Sequence, residues 1–161
     1  MKTIDEKYMQ KALVEAKKAY SIGEVPVGAV IVRDGKIIAR AHNIRQTKKK
    51  VLGHAEIMAI EKASKKLGTW ILDDCTIYVT IEPCLMCAGA IIQARMQKVC
   101  FGAHEPKFGA LGSLTDISTL PKLNHHIEVV PHILENECST LIKDFFKELR
   151  KKDSSLVDKN E

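Results

Sequence analysis

The stretch TIYVTIEPCLMCAGAII, residues 76–92, decides how the rest of the chain is interpreted. Residues 76–81 are mostly β-branched or apolar and predict a strand. Residues 83–94 are mostly small or apolar and predict a buried helix. Cys84 and Cys87 are three positions apart, so the first turn of this helix places both sulfur atoms on one side. The positive end of a helix dipole favours thiolates, which makes the two cysteines candidate metal ligands.

A second segment, His54-Ala55-Glu56, supplies what the two cysteines lack for a catalytic metal centre. We predict one Zn²⁺ held by His54, Cys84 and Cys87, because one imidazole and two thiolates leave the fourth tetrahedral position free for water. Zinc bound in this way lowers the pKa of its water towards about 7. Glu56 is the candidate carboxylate that carries protons between this water and the ring nitrogen and leaving amine of a substrate base. The pairing of H-x-E with P-C-x-x-C is typical of zinc-dependent nucleobase deaminases.

Other interpretations of the two segments explain fewer residues. A lone C-x-x-C is often a redox motif or half of a zinc ribbon, and a lone H-x-E carries almost no information. A zinc ribbon needs a second C-x-x-C pair, and the sequence has none. A thioredoxin-type motif does not account for His54 and Glu56. The combination, in this order and with Pro83 before the first cysteine, therefore favours a catalytic zinc site.

Helices and strands alternate along the rest of the chain, which predicts an α/β domain with a central sheet. The length of 161 residues suits one domain, which we place at residues 1–150, followed by a polar tail at 151–161 that we expect to be flexible. Asp34-Gly35 predicts a tight turn between two strands. The remaining predicted helices span residues 5–22, 54–67 and 135–150, and the remaining predicted strands span 25–32, 36–41, 99–101 and 127–130.

Composition and cysteine usage indicate an ordinary globular protein of a reducing compartment. Hydrophobic residues make up 45% of the chain and charged residues 28%, and the formal charge of +5 permits a polyanionic partner without requiring one. Of the five cysteines, we expect Cys75, Cys100 and Cys138 to be small buried hydrophobic residues with free thiols. The N-terminus has no apolar signal-peptide core and no apolar run reaches bilayer length, so we expect a cytoplasmic protein without membrane contact.

The sequence resembles the bacterial tRNA-specific adenosine deaminase family, within the wider cytidine deaminase-like fold, over roughly residues 5–150. The resemblance implies an α/β fold, a three-layer α/β/α sandwich around a five-stranded mixed sheet. It also implies a homodimer whose RNA surface draws on both subunits. The segments that carry it are EVPVGAV (24–30), AHN (41–43), HAEIMAI (54–60), YVTIEPCLMCAGA (78–90), FGA (101–103), GSL (112–114), NH (124–125) and DFF (144–146).

The resemblance implies conversion of adenosine 34, at the wobble position of a tRNA anticodon, to inosine, with an arginine tRNA as the expected substrate. His54, Cys84 and Cys87 would hold zinc and Glu56 would be the proton shuttle. Asn43 would hydrogen-bond the flipped base. The residues expected to shape the base pocket are Val25, Pro26 and Ala55. The residues expected near the RNA are Lys48, Lys49, Lys50, Glu105, Lys107, Asn124, His125, Phe145 and Phe146.

Several of these outer residues have an equally ordinary structural interpretation. Phe145 and Phe146 on an amphipathic helix could be core residues, and Asn43 could be a turn residue at the end of a hairpin. Residues 48–50 could be a solvated loop, although three lysines beside a nucleic-acid pocket would add a salt-dependent attraction. The chain also departs from the family pattern at residues 50–53, at His104-Glu105 and at His126, all outside the predicted metal site.

Two other functions fit parts of the pattern. Zinc-dependent deaminases of a free base or nucleoside, such as guanine, cytosine or cytidine, share the same zinc segments. A catalytically inactive, zinc-stabilised RNA-binding subunit is a hypothesis of another class, but such a protein would be expected to have lost the carboxylate that Glu56 retains.

Overall fold

The computed structural model describes residues 1–158, in which four α-helices and five strands alternate. The helices are α1 (Ile4–Ser21), α2 (Ala55–Leu67), α3 (Leu85–Gln93) and α4 (Glu135–Asp158), with a short 3₁₀ helix at Ile117–Thr119. The strands are β1 (Gly28–Arg33), β2 (Lys36–His42), β3 (Cys75–Ile81), β4 (Lys98–Ala103) and β5 (Glu128–Val130).

The five strands form one mixed sheet in the order β2-β1-β3-β4-β5. Strand β1 is antiparallel to both β2 and β3, whereas β3, β4 and β5 are parallel. Side chains alternate between the two faces of a strand. Ile31 and Ile77 accordingly pack in the cluster with α2 and α3, and Val30 and Tyr78 pack in the cluster with α1 and Cys138 of α4. The predicted three-layer sandwich around a five-stranded mixed sheet is confirmed.

The hairpin between β1 and β2 turns at the predicted dipeptide. Asp34 and Gly35 have φ angles of 50° and 71°, the two left-handed conformations that a two-residue type I′ turn requires. The predicted start of β1 at residue 25 is wrong, because β1 begins at Gly28. The amide of Val27 donates to the carbonyl of Val25 at 2.8 Å, and this tight local bond takes the segment out of the sheet ladder.

The last helix is longer than predicted. We expected it to end near residue 150, but α4 continues to Asp158, since residues 151–158 contain no glycine or proline to stop a helix. Residues 159–161 of the predicted tail lie outside the described residues. Within the described part of the chain, no helix is both long enough and apolar enough to cross a bilayer.

We expect Gly28→Ala to destabilise the fold strongly, because α1 packs directly against the start of β1. A Cβ atom at Gly28 would overlap the backbone of Ala12 and Ala16, and a helix backbone cannot move aside as a side chain can. Overpacking of this kind costs about 3 kcal/mol or more, or roughly 6–12 °C in Tm. Thermal unfolding checks this, with Gly89→Ala as the control, since a Cβ at Gly89 meets nothing within 4 Å. An unchanged Tm for Gly28→Ala would contradict the packing described here.

Candidate active site

The starts of two helices bring the three predicted metal ligands together. His54 immediately precedes α2 and Cys84 immediately precedes α3, both with extended backbone, and Cys87 lies in the first turn of α3. The Nδ1 atom of His54 lies 3.8 Å from the Sγ atom of Cys84 and 3.5 Å from that of Cys87. All three ligand atoms lie within 4.8 Å of one another.

The donor set fits a zinc ion. With bond lengths of about 2.0–2.3 Å and tetrahedral angles, a nitrogen and a sulfur ligand of one zinc lie about 3.6 Å apart. The two nitrogen-to-sulfur distances of 3.5 and 3.8 Å agree with this separation. Among the described residues the group has these three members and no fourth, which is the ligand count of a catalytic rather than a structural zinc site.

The three groups are electrostatically coupled in the absence of metal. A hydrogen bond from Cys87 lowers the pKa of the Cys84 thiol to about 4. The same bond, together with burial, raises the pKa of Cys87. The pKa of His54 is also raised, chiefly by its hydrogen bond with Cys84. A metal that binds here must therefore displace protons from His54 and Cys87.

Glu56, the predicted proton carrier, is the second residue of α2. The side chain lines the same cavity as His54 and Cys84, although the residue is only 3% exposed. Burial raises the pKa of the Glu56 carboxyl, and the charge on His54 partly opposes this shift. A carboxyl whose pKa is raised accepts a proton more readily than an ordinary carboxylate and can return it, which is the property that general acid–base catalysis needs.

A cavity of about 740 Å³ opens from the metal-ligand group to the surface. This volume lies within the usual range for ligand pockets, about 300–1,000 Å³. Its inner part is lined by Val25, Val27 and Asn43, and its outer part by segments of two loops, which include Arg45 and residues 105–108. The cavity therefore joins the metal-ligand group and Glu56 to exposed side chains of the two loops.

Of the residues predicted to shape the base pocket, Val25 and Asn43 line the cavity. Pro26 and Ala55 are buried and are not among its lining residues. The Oδ1 atom of Asn43 accepts a hydrogen bond from the Ala55 amide at 2.9 Å and so caps the first turn of α2. The side-chain amide nitrogen of Asn43 is the group that remains to donate to a ligand.

The predicted RNA contacts divide into three groups, of which two lie at or beside the cavity. Glu105, Lys107 and Phe146 line the cavity. Residues 48–50 are exposed and lie in the loop whose neighbouring residues, 45 and 46, line it.

The remaining predicted RNA contacts lie away from the cavity lining. Asn124 is exposed, and the Nε2 atom of His125 lies 2.6 Å from the carbonyl oxygen of Met96, a contact within the fold. Phe145 is 8% exposed and packs edge-on against Tyr20 with ring centroids 5.6 Å apart, so its structural interpretation as a core residue holds.

Two buried glutamates, Glu24 and Glu82, line the cavity although the sequence pattern predicts no role for them. Glu24 accepts a hydrogen bond from the backbone amide of Thr47 and thereby holds the loop that follows β2. Burial raises the pKa of Glu24, but the bonds to Thr47 and to the Gln46 backbone outweigh burial, so its pKa is lowered overall. The signal for this residue was its place at the head of the segment EVPVGAV.

The second glutamate, Glu82, immediately precedes the Pro83-Cys84 dipeptide and has a fully buried side chain. Its carboxylate accepts hydrogen bonds from the Ser113 hydroxyl and from the backbone amides of Glu105, Leu111 and Ser113 at 3.0–3.2 Å, and its Oε1 atom lies 3.0 Å from Nδ1 of His104. Burial raises the pKa of Glu82, but these bonds lower it more, so the group is held as a carboxylate.

Comparison with known proteins identifies the family. A family model described as MafB19-like deaminase matches residues 4–150. The chain is 53% identical over 150 residues to the tRNA-specific adenosine deaminase of Bacillus subtilis strain 168, and the match covers 93% of each chain. It is 45% identical over 145 residues to the tRNA-specific adenosine deaminase of Streptococcus pyogenes serotype M1, covering 90% of this chain and 85% of the relative.

A solved structure gives the same result. It comes from a study of A-to-I editing by tRNA:A34 deaminases at the wobble position of transfer RNA, and it superimposes with a TM-score of 0.81 at 41% identity. The match covers 84% of this chain and 98% of that chain. The chain therefore belongs to the MafB19-like deaminase family and, within it, to the tRNA-specific adenosine deaminases.

Proposed function

We propose that this protein deaminates adenosine to inosine at the wobble position, 34, of a tRNA anticodon, by a zinc-dependent hydrolytic reaction. The observation that carries the proposal is one cavity lined by His54, Cys84 and Glu56, with Cys87 completing the group of candidate ligands. The relatives that match nearly the whole chain are described as tRNA-specific adenosine deaminases.

In this proposal, His54, Cys84 and Cys87 hold one Zn²⁺ per subunit. When bound, zinc supplies Lewis-acid chemistry that makes a water molecule acidic near neutral pH. Glu56 accepts the proton that the attacking water loses and donates it to the purine ring nitrogen N1. Once the water oxygen is bonded to C6, Glu56 takes the second proton from that hydroxyl and delivers it to the amine as the C6–N bond breaks, so that adenosine and water give inosine and ammonia.

The cavity supports the recognition of a base that has left its stack. The amide nitrogen of Asn43 donates a hydrogen bond to the flipped base, and Val25 packs against it, since both line the inner cavity. A base in a single-stranded anticodon loop costs little to extrude. Arg45 and Lys107 at the mouth attract the flanking phosphates, as the net charge of +5 also favours.

We further propose an arginine tRNA as the substrate, a homodimer as the active form and the cytoplasm as the compartment. The family resemblance supports the arginine tRNA and the homodimer, and the description of the relatives as tRNA-specific enzymes supports the cytoplasm.

The deciding experiment measures inosine by mass spectrometry in an anticodon stem-loop after incubation with the zinc-loaded protein. We expect conversion of a stem-loop with adenosine at position 34 and none of a stem-loop with guanosine there. Free guanine, cytosine and cytidine are incubated in parallel. Ammonia released from one of these alone would favour a free-base or nucleoside deaminase, and RNA binding without turnover would favour an inactive RNA-binding subunit.

A further inference from the structure

The loop that follows β4 forms one side of the cavity, and we call residues 104–113 the wall loop. Four consecutive residues of it, 105–108, line the cavity. Three backbone amides of the wall loop, those of Glu105, Leu111 and Ser113, donate to the one carboxylate of Glu82. Because these donors lie on both sides of residues 106–108, Glu82 fixes both ends of the segment that faces the cavity.

The loop also lies too close to Glu82 to shift freely. A Cβ atom at Gly109 would overlap the Glu82 carboxylate and come within 2.5 Å of the Glu105 carbonyl oxygen. The amide of Ala110 donates to the carbonyl of Pro83 at 2.9 Å, which ties the loop to the residue before Cys84. At the tip, the amide of Lys107 donates to the Glu105 side chain at 3.0 Å. The wall loop is thus tied to Glu82 and Pro83 on both sides of its cavity-lining segment and bonded to itself at the tip.

The wall loop places the aromatic ring of Phe108 at the mouth of the cavity, which Phe146 of α4 also lines. Phe108 is 65% exposed, yet it lines the cavity that also contains His54 and Glu56. The neighbouring Lys107, and Arg45 from the opposite loop, are cationic groups at the same mouth. An exposed aromatic ring beside cationic side chains is the combination with which proteins bind single-stranded nucleic acids, because every base has a stacking face.

We propose that Phe108 stacks on the nucleobase next to the reactive adenosine in the RNA, and that Glu82 is the positioning residue that holds Phe108 in place. This inference rests on the proposed function, since it needs an RNA whose reactive base lies beside Glu56. A loop that is already ordered loses little conformational entropy when the base stacks, so most of the stacking energy appears as affinity.

The first test compares the kinetics of stem-loop deamination for three variants. Phe108→Ala is expected to raise KM about tenfold with little change in kcat, since one base–aromatic stack contributes about that factor to affinity. Phe108→Tyr keeps the stacking face and should restore the wild-type KM. Leu120→Ala, which removes an apolar side chain that is 50% exposed and is not among the cavity-lining residues, is the control and should leave both constants unchanged.

The second test removes the base rather than the ring. Two stem-loops carry an abasic residue immediately 5′ or immediately 3′ of the reactive adenosine. On the stem-loop that lacks the base on which Phe108 stacks, Phe108→Ala should not raise KM further, because the stacking partner is already missing. If Phe108→Ala raises KM about equally on both abasic substrates and on the intact one, the stacking contact does not exist. If instead the variant changes the oligomeric state in sedimentation, Phe108 contacts a second copy of the protein and the proposal is wrong.

The positioning role of Glu82 is tested with Glu82→Gln, which is nearly isosteric. Both carboxylate oxygens accept backbone N–H groups, so either orientation of a glutamine amide directs its NH₂ group at another donor. We expect Glu82→Gln to raise KM by about the same factor as Phe108→Ala and to leave the zinc content unchanged. The double variant should show no further increase in KM. Additive effects would contradict a shared role. Absence of inosine from the wild-type reaction would overturn the proposed function instead, so the two failures are distinguishable.

Discussion

Glu56→Gln is expected to abolish detectable inosine formation while zinc remains bound. Glutamine has the size of glutamate but cannot accept a proton from water, so the proposed reaction loses its proton carrier at this position. General acid–base catalysis by one positioned side chain contributes about 10²–10⁴-fold, and a group that serves several proton transfers belongs at the upper end. Single-turnover assays on the stem-loop and the zinc content of the purified variant measure the two parts of this expectation.

Glu56→Gln should leave the fold intact or raise the stability of the protein. Burial opposes the charged form of Glu56, which is why its pKa is raised, and a neutral glutamine removes that cost. A higher Tm together with lost activity would show that the glutamate is retained for chemistry. Glu61→Gln, on an exposed position of the same helix, is the matched control and should keep full activity. Near-wild-type turnover by Glu56→Gln would remove this residue from the mechanism.

The sequence predicted the metal-ligand group because its determinants are local. Cys84 and Cys87 are placed by one helical turn, and His54 and Glu56 lie on either side of the first residue of α2. Each pair is fixed by backbone geometry within four residues, so its spacing could be interpreted without knowledge of the fold. The spacing alone does not predict that the N-termini of α2 and α3 lie side by side. Their proximity follows from the order of strands in the sheet.

The residues that the sequence analysis missed are those whose partners are distant in the chain. Glu82 is bonded to residues 22 to 31 positions away, in a loop without hydrophobic periodicity. Phe145 and Phe146 are adjacent on α4, and a helical pattern alone does not tell which ring packs inwards. The structure resolves this, because Phe145 meets Tyr20 of α1 whereas Phe146 lines the cavity.

Two differences in element boundaries have local causes that propensity does not show. β-propensity continued β1 back to residue 25, but the local bond between Val27 and Val25 removes that segment from the ladder. The end of α4 was placed near residue 150 from the loss of an apolar pattern. A polar segment without a helix-breaking residue can nevertheless continue a helix that is already nucleated, because each further residue adds a hydrogen bond without a new nucleation cost.

The second large effect is expected from Cys87→Ala, which should prevent zinc binding and remove activity with it. Two of the three protein ligands would remain. Substituting a residue that only hydrogen-bonds to a metal ligand lowers metal affinity by up to roughly 100-fold, and losing a ligand itself should lower the zinc affinity by more. Zinc at about 1,000 times its dissociation constant stabilises a folded protein by about 4 kcal/mol. Zinc addition should therefore raise the Tm of the metal-free wild type and leave that of Cys87→Ala unchanged.

The zinc affinity of the wild type should fall as the pH is lowered. The pKa values of His54 and Cys87 are both raised in the metal-free site, so this form binds more protons than the zinc-bound form and is favoured by acid. Proton release on zinc addition, followed by calorimetry in buffers of different ionisation enthalpy, measures this linkage directly. Cys100→Ala is the matched control, because Cys100 is equally buried but lies on β4, outside the ligand group. A Cys87→Ala protein that retains one equivalent of zinc would show that the ion is held by other residues, and the proposed chemistry at His54 and Glu56 would lose its basis.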